Sequence, residues 1–190
     1  MRKIFFKNLE LKISDNIYET GEDSELLANN MEIEDNEKVL DIGTGSGVMA
    51  LIASKNAKYV LGVDINRKAI EISKSNAYNN KIKNVEFKKS DLFEKINKKY
   101  DVILFNPPYL PTEEEDRIWS GGKNGRKIIE RFSKEFKEYL KEDGKVYMVI
   151  SSLTGKEEVE KIFKNEGMNV YTKGEKKIPW EILYVLKITK

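Results

Sequence analysis

The chain contains no cysteine and no histidine. Without cysteine there is no disulfide, no thiolate nucleophile and no cysteine-ligated zinc. Without histidine there is no imidazole to serve as a general base near neutral pH. Any catalysis must therefore proceed by other means. Long apolar runs are missing too: none approaches the roughly 20 residues of a membrane span, and the N-terminus lacks the apolar core of a signal peptide. A soluble, cytoplasmic protein is expected. Neither sign of charge dominates, because 34 basic against 32 acidic residues leave a net charge of +2. The whole-molecule field therefore does not announce a nucleic-acid binder. With 190 residues, inside the roughly 100–200 of one domain, and no repeat, low-complexity tract or linker, the expectation is a single domain over 1–190. An N-terminal arm should cover about residues 1–33.

Prolines are scarce as well, four in all, and two of them are adjacent in Asp101-Val102-Ile103-Leu104-Phe105-Asn106-Pro107-Pro108-Tyr109. Val102 to Phe105 has the length and apolarity of a strand buried on both faces. The double proline ends it, since neither ring nitrogen can donate to a ladder and both rings fix φ. The residue before a proline is pushed into an extended conformation, so Asn106 and Pro107 should present a side-chain oxygen and freed carbonyls in a fixed direction. Beside them Tyr109 offers a flat face. Such a site suits a planar NH₂ group whose two hydrogens are accepted while its plane is stacked: a carboxamide or an exocyclic base amine. A strand exit without chemistry would have the same local sequence.

The rest of the chain alternates strand and helix. Ile4 to Ile17 suits a short hairpin or extended arm, and Tyr18 to Ser24 forms a loop leading into a helix over roughly Ser24 to Met31. Val39 to Val48 reads as a buried strand, a glycine-rich turn (Gly43, Gly45, Gly47) and the opening of a helix that runs to about Asn56. Glycines there let the backbone pass close to a ligand. Their spacing, Gly-x-Gly-x-Gly after the acid Asp41, differs from the dinucleotide fingerprint Gly-x-Gly-x-x-Gly and favours a ligand without a pyrophosphate. Tyr59 to Asp64 is the next strand, and Asp64 falls about 20 residues after the glycine turn, where a ribose-binding carboxylate belongs. The alternative is that Asp64-Ile65-Asn66 caps the helix Arg67 to Asn79, but with the glycine turn in place the ligand role is favoured.

Val85 to Phe87 is a short strand, and Asp91-Leu92 follows it to the same rim, where Asp91 could accept from an adenine amine while Leu92 covers the base. A surface turn is the alternative. Glu113 to Asp116 is an acidic cluster, more in keeping with a solvated loop than with Mg²⁺. Trp119 to Arg126 is a second glycine-rich segment opening a helix from about Lys127 to Leu140; Trp119 is a packing residue or a wall of the substrate site. Lys145 to Ser151 is a strand and Lys156 to Asn165 a helix. Val170 to Lys173 and Glu181 to Ile188 form an antiparallel pair around Pro179-Trp180.

This order predicts an α/β fold: three layers around a doubly wound, mostly parallel sheet of seven strands with an antiparallel C-terminal strand. Asp41, Gly43, Gly45, Asp64, Asp91 and Asn106 would share the carboxyl rim of that sheet. Together they resemble the class I S-adenosylmethionine-dependent methyltransferases, and Asn106-Pro107-Pro108-Tyr109 resembles that superfamily's signature for methylating amide or amino nitrogen. Tyr18 to Ser24, the Asn106 motif, and Trp119 to Arg126 with Glu130-Arg131-Phe132 are similar to the archaeal and eukaryotic HemK-like glutamine methyltransferases.

That resemblance implies S-adenosylmethionine as cofactor, S-adenosylhomocysteine as product, and the Gly-Gly-Gln glutamine of a peptide-chain release factor as substrate. It implies catalytic roles for Asn106, Pro107 and Tyr109. Cofactor contacts would come from Ser24, Asp41, Gly43, Gly45, Asp64, Asp91, Leu92 and Asn106, and substrate contacts from Tyr18, Asn106, Pro108 and Trp119. No metal is implied in the site. A small zinc-binding activator subunit is implied as partner, with Val85 to Lys88 as a sheet edge where it could add a strand. Two positions depart from the family, which usually has proline where Thr20 stands and threonine where Ser24 stands. The alternatives are methylation of adenine N6 or of lysine, the former needing a flipped base and a basic groove, and a silent cofactor-binding scaffold.

Overall fold

The computed structural model describes residues 2–14, 17–112 and 120–190. It opens with an antiparallel hairpin of β1 (Arg2–Phe6) and β2 (Leu9–Ile13), closed by Lys7 and Asn8 at positive φ. After helix α1 (Glu22–Asn30) the chain enters the sheet at β3 (Lys38–Ile42), and then follow α2 (Val48–Ala53), β4 (Tyr59–Asp64), α3 (Arg67–Asn79) and β5 (Val85–Lys89). β6 (Tyr100–Phe105), α4 (Lys127–Glu135), β7 (Leu140–Ser151), α5 (Lys156–Asn165), β8 (Asn169–Ile178) and β9 (Glu181–Thr189) complete it. The seven-stranded sheet has the order β5-β4-β3-β6-β7-β9-β8. The pairs β5–β4, β4–β3, β3–β6 and β6–β7 are parallel, and β9 is antiparallel to both neighbours.

Strand alternation separates two cores. Val39, Val60, Val102, Leu104 and Val149 face the N-terminal hairpin, α1, α2 and α3, while Leu40, Ile42, Val63, Ile103, Phe105, Val146 and Met148 face α4 and α5. On the second face Phe93, Phe105, Phe132, Phe136 and Phe163 form one aromatic stack, with Phe132 packed against each of the others. The hairpin is held to α3 by Asn76 and Asn80, whose amides exchange bonds with the backbone of Lys12 and Glu10 at 2.8–3.1 Å.

The strand read as Val170 to Lys173 extends over Asn169–Ile178, and three helix boundaries differ from the sequence reading. α1 begins at Glu22 rather than Ser24, because Gly21 serves as N-cap without any side-chain bond that would mark it. α2 ends at Ala53, not near Asn56. The helix expected to run from Lys127 to Leu140 stops at Glu135 and passes through a 3₁₀ turn. Leu140 is already β, paired with Tyr100, and the sheet resumes at Lys145 opposite Val102 after an exposed bulge. Burying Phe136 and Leu140 in one core while meeting β6 requires that change of period. Glu113 to Asp116 and Trp119 lie outside the described residues. Among the described residues, no helix is long and apolar enough to cross a membrane.

Candidate active site

The strand order reverses between β3 and β6, and in open α/β sheets the crevice beyond the carboxyl ends of such strands is where ligands bind. A cavity of about 320 Å³ opens there, within the range of small-molecule sites. Tyr18, Ser24, Asp41, Gly43, Gly45, Asp64, Asp91, Leu92, Asn106, Pro107, Pro108 and Tyr109 all line it. Every candidate from the sequence is thus brought to one place except Trp119, which lies outside the described residues.

The glycine turn is built around two acids. Asp41 is buried, and its Oδ2 accepts from the Thr44 hydroxyl at 2.6 Å and the Ala50 N–H at 3.1 Å, tying the start of α2 to the end of β3. Burial pushes its carboxyl up to about 7, against the pull of those two bonds. Gly47 caps α2 at φ 85°, and a Cβ there would stand 2.9 Å from that of Ser73, so a side chain fails on both conformation and space. Asp64 receives the Gly45 N–H on Oδ2 at 2.9 Å and the Asn66 N–H on Oδ1 at 2.8 Å. The Ile65 N–H also bonds this carboxylate, so it is aimed by the backbone, and of its roughly four acceptor positions it keeps capacity for a hydroxyl donor. Burial raises its pKa as well. Asn66 independently caps α3, its side chain accepting from the Lys68 N–H; the capping role read from the sequence is therefore filled without using up Asp64.

Asp91 does not stand free. Its Oδ2 is paired with Arg131 of α4 at 3.0 Å, in a partly exposed position. Arg131 itself lines the cavity, with Ile128, Ile65 and Leu92 as apolar wall.

The Asn106 corner holds the residue that the sequence reading missed. Asp23, on the first turn of α1 and 2% exposed, accepts from Asn106 Nδ2 at 2.9 Å and from the Tyr109 hydroxyl at 3.4 Å, both on Oδ2. Its Oδ1 takes the Ser24 N–H at 2.6 Å and the Ser24 hydroxyl at 3.3 Å. A carboxylate only accepts, so this bond fixes the Asn106 amide with its nitrogen towards Asp23. Oδ1 of Asn106 is left buried and without a partner. Burial, then the charge of Asp23, drives the Tyr18 and Tyr109 hydroxyls far above their ordinary range, so both remain protonated donors.

The second glycine-rich segment has a positional task. Gly121 N–H bonds the Leu110 carbonyl at 2.9 Å and Thr112 N–H bonds the Gly122 carbonyl. A Cβ on Gly125 would lie 2.3 Å from the Tyr109 carbonyl oxygen, which also accepts from the Thr154 hydroxyl at 3.2 Å. The segment thus clamps the chain just past the double proline.

With this geometry established, the comparisons decide the family. Residues 14–177 match the methyltransferase small domain family. The chain belongs to that family. A relative from Methanocaldococcus jannaschii named "putative protein N5-glutamine methyltransferase" is 43% identical over 191 residues, covering 96% of both chains. Human methyltransferase HEMK2 is 32% identical over 92% of this chain and 90% of its own. Among solved structures, the E. cuniculi Mtq2-Trm112 complex, described as responsible for methylating the translation termination factor eRF1, superposes with a TM-score of 0.78. It is 29% identical and covers 92% of this chain and 99% of the other. This methyltransferase small domain is thus an enzyme of the Rossmann-like class, with its cavity at the rim where the two halves of the sheet diverge.

Proposed function

We propose that this methyltransferase transfers a methyl group from S-adenosylmethionine to the side-chain amide nitrogen of glutamine, in the Gly-Gly-Gln segment of a peptide-chain release factor. The observation that carries this reading is the orphaned, buried Oδ1 of Asn106 in the wall of the cavity. A buried acceptor without a donor points to a ligand that brings one.

The residues present fit the cofactor. Asp64 is aimed to accept from a ribose diol, Ile65, Leu92 and Ile128 offer a wall for a flat base, and the turn at Gly43 and Gly45, both at positive φ, gives close backbone approach. When bound, the cofactor supplies an electrophilic methyl group on a sulfonium. The chain's own residues do the rest. An amide nitrogen is a poor nucleophile because its lone pair is shared with the carbonyl, so orientation is the scarce ingredient. Asn106 Oδ1 and the Pro107 carbonyl accept the two amide hydrogens, turn the lone pair towards the methyl donor and meet the positive charge that grows on nitrogen. Asp23 behind Asn106 adds a fixed negative charge. No base is needed at the moment of transfer: the nitrogen gains the methyl as the carbon–sulfur bond breaks, and one of its protons then leaves to water, in keeping with a chain that lacks histidine.

The name of the M. jannaschii relative supports glutamine as acceptor, and the E. cuniculi complex, which acts on a translation termination factor, supports a protein substrate over adenine. β5 is one open edge of the sheet, and we place the small zinc-binding activator subunit there, adding a strand along Val85 to Lys88. The test is incubation with labelled cofactor and a release factor, with and without the Gly-Gly-Gln glutamine. Label on the first alone is expected; label on neither, with the activator present, contradicts the reading.

A further inference from the structure

Among the described residues, three buried side-chain polar atoms lack a partner: Asn106 Oδ1, Thr20 Oγ1 and Glu181 Oε2. The first two belong to residues lining the cavity; Glu181 opens β9 outside that lining, near enough for its charge to act on the Tyr18 and Tyr109 hydroxyls. Beside Glu181 stands a second anomaly. The β8–β9 hairpin turns through Pro179 and Trp180, closed by the pair Ile178 and Glu181. Trp180 has φ 77° and is 95% exposed. A proline followed by a left-handed residue is type II turn geometry, which calls for glycine or asparagine at the second place. A bulky aromatic there is strained and gives its ring wholly to water. Two neighbouring residues thus carry unfavourable features that nothing in the free chain offsets.

Their position says what they face. Ile182 N–H bonds Ser152 Oγ at 2.9 Å, and Thr154, two residues on from Ser152, bonds the Tyr109 carbonyl. The turn after β7 therefore joins the hairpin to the reaction centre. Lys176 of β8 bonds Glu22 and Glu25 of α1, fastening the hairpin to the helix that carries Asp23. Tyr18 and Leu153, 39% and 50% exposed, continue the apolar surface on this rim.

Resting on the glutamine reading above, we propose that Glu181 and Trp180 form a peptide-docking subsite beside the reacting amide, the Glu181 carboxylate accepting from an N–H donor of the substrate polypeptide next to the glutamine and the Trp180 ring packing on its backbone. An extended segment supplies both the donor and the flat surface; a free glutamine supplies neither. Glu181 is a positioning residue, and its shielded, unpartnered oxygen gains a donor when the segment docks.

The test uses steady-state methyl transfer to a polypeptide carrying Gly-Gly-Gln with several residues on each side, comparing wild type with Glu181→Leu and Trp180→Gly. S-adenosylhomocysteine affinity and the unfolding temperature are measured on the same samples. Glu181→Leu is expected to raise the peptide KM about tenfold or more, the value of a lost hydrogen bond to a charged group, and Trp180→Gly to raise it about threefold or more through lost ring packing. Cofactor-product affinity should stay within about twofold of wild type. The unfolding temperature should hold or rise, because an unpaired buried carboxylate and a strained turn have been removed. Loss of stability with unchanged KM would show both residues to be structural and overturn the proposal, as would wild-type KM values in two well-folded variants. A wild-type enzyme that methylates no glutamine polypeptide would overturn the reading of the site itself, and this proposal with it.

Discussion

Asp23 Oδ2 lies 2.9 Å from Asn106 Nδ2, and this bond joins residues 83 positions apart in the chain. It decides which face of the Asn106 amide meets the substrate. With the nitrogen committed to Asp23, the oxygen is the atom left for a donor. Asp23→Asn gives the partner a donor of its own and frees the Asn106 amide to turn over. Methyl transfer is expected to fall at least about tenfold through kcat, in view of the weight of preorganised hydrogen bonds at a reacting centre, with S-adenosylhomocysteine affinity retained. Equal turnover in the variant would show that the orientation of Asn106 is set elsewhere.

Asp64 is held by the backbone N–H groups of Gly45, Ile65 and Asn66 and faces the cavity. Asp64→Ala should lower cofactor affinity by about 1.5–3 kcal/mol, the range for hydrogen bonds to a charged group. Isothermal calorimetry with S-adenosylhomocysteine measures it directly, and unchanged affinity would place the ribose away from Asp64.

Asp41 makes stability depend on pH. Burial raises its folded-state pKa to about 7, while an aspartate in the unfolded chain titrates near about 3.9. Between these values the folded protein keeps a proton that the unfolded chain has released, so this group's contribution falls as pH rises through that window and levels off above it. Asp41→Asn carries no such proton. The melting temperature of the variant relative to wild type should therefore be more favourable near about pH 8 than near about pH 5.5. A difference that does not change with pH, read by scanning calorimetry, would exclude Asp41 as the source.

Phe132 sits in the middle of the aromatic stack, fully buried between Phe93, Phe105, Phe136 and Phe163. Phe132→Ala should destabilise the protein by about 3–5 kcal/mol, combining lost transfer energy with a cavity among stiff rings. Denaturant unfolding measures this; a loss below about 1 kcal/mol would mean that the core collapses around the gap.

Local sequence carried most of the sheet. Val39 to Ile42, Tyr59 to Asp64 and Val102 to Phe105 are apolar runs bounded by glycine, acid or proline, and each became a buried central strand. The glycine turn and the double proline were legible for the same reason: their backbone demands are local. Asp23 was not. Its burial comes from the start of α1 lying against Asn106 and Tyr109 just past β6, and nothing in the sequence sets it apart from its acidic neighbours Glu19, Glu22 and Glu25. Arg131 was singled out only through the resemblance carried by Glu130-Arg131-Phe132, and its pairing with Asp91 stayed hidden, as did the place of Glu181 beside the cavity, since each comes from an element distant in sequence. The end of α4 was misplaced because Phe136 and Leu140 continue a helical apolar pattern, while pairing with Tyr100 pulls the chain into the sheet.

The most direct test of the central claim is methyl transfer by Asn106→Ala beside wild type, with S-adenosylhomocysteine affinity measured on the same preparations. Transfer to the glutamine substrate should fall by about 10²-fold or more while most of that affinity remains. Near-normal turnover would mean that the amide is held and oriented by other atoms, and would contradict a role for Asn106 Oδ1 in accepting from the reacting nitrogen.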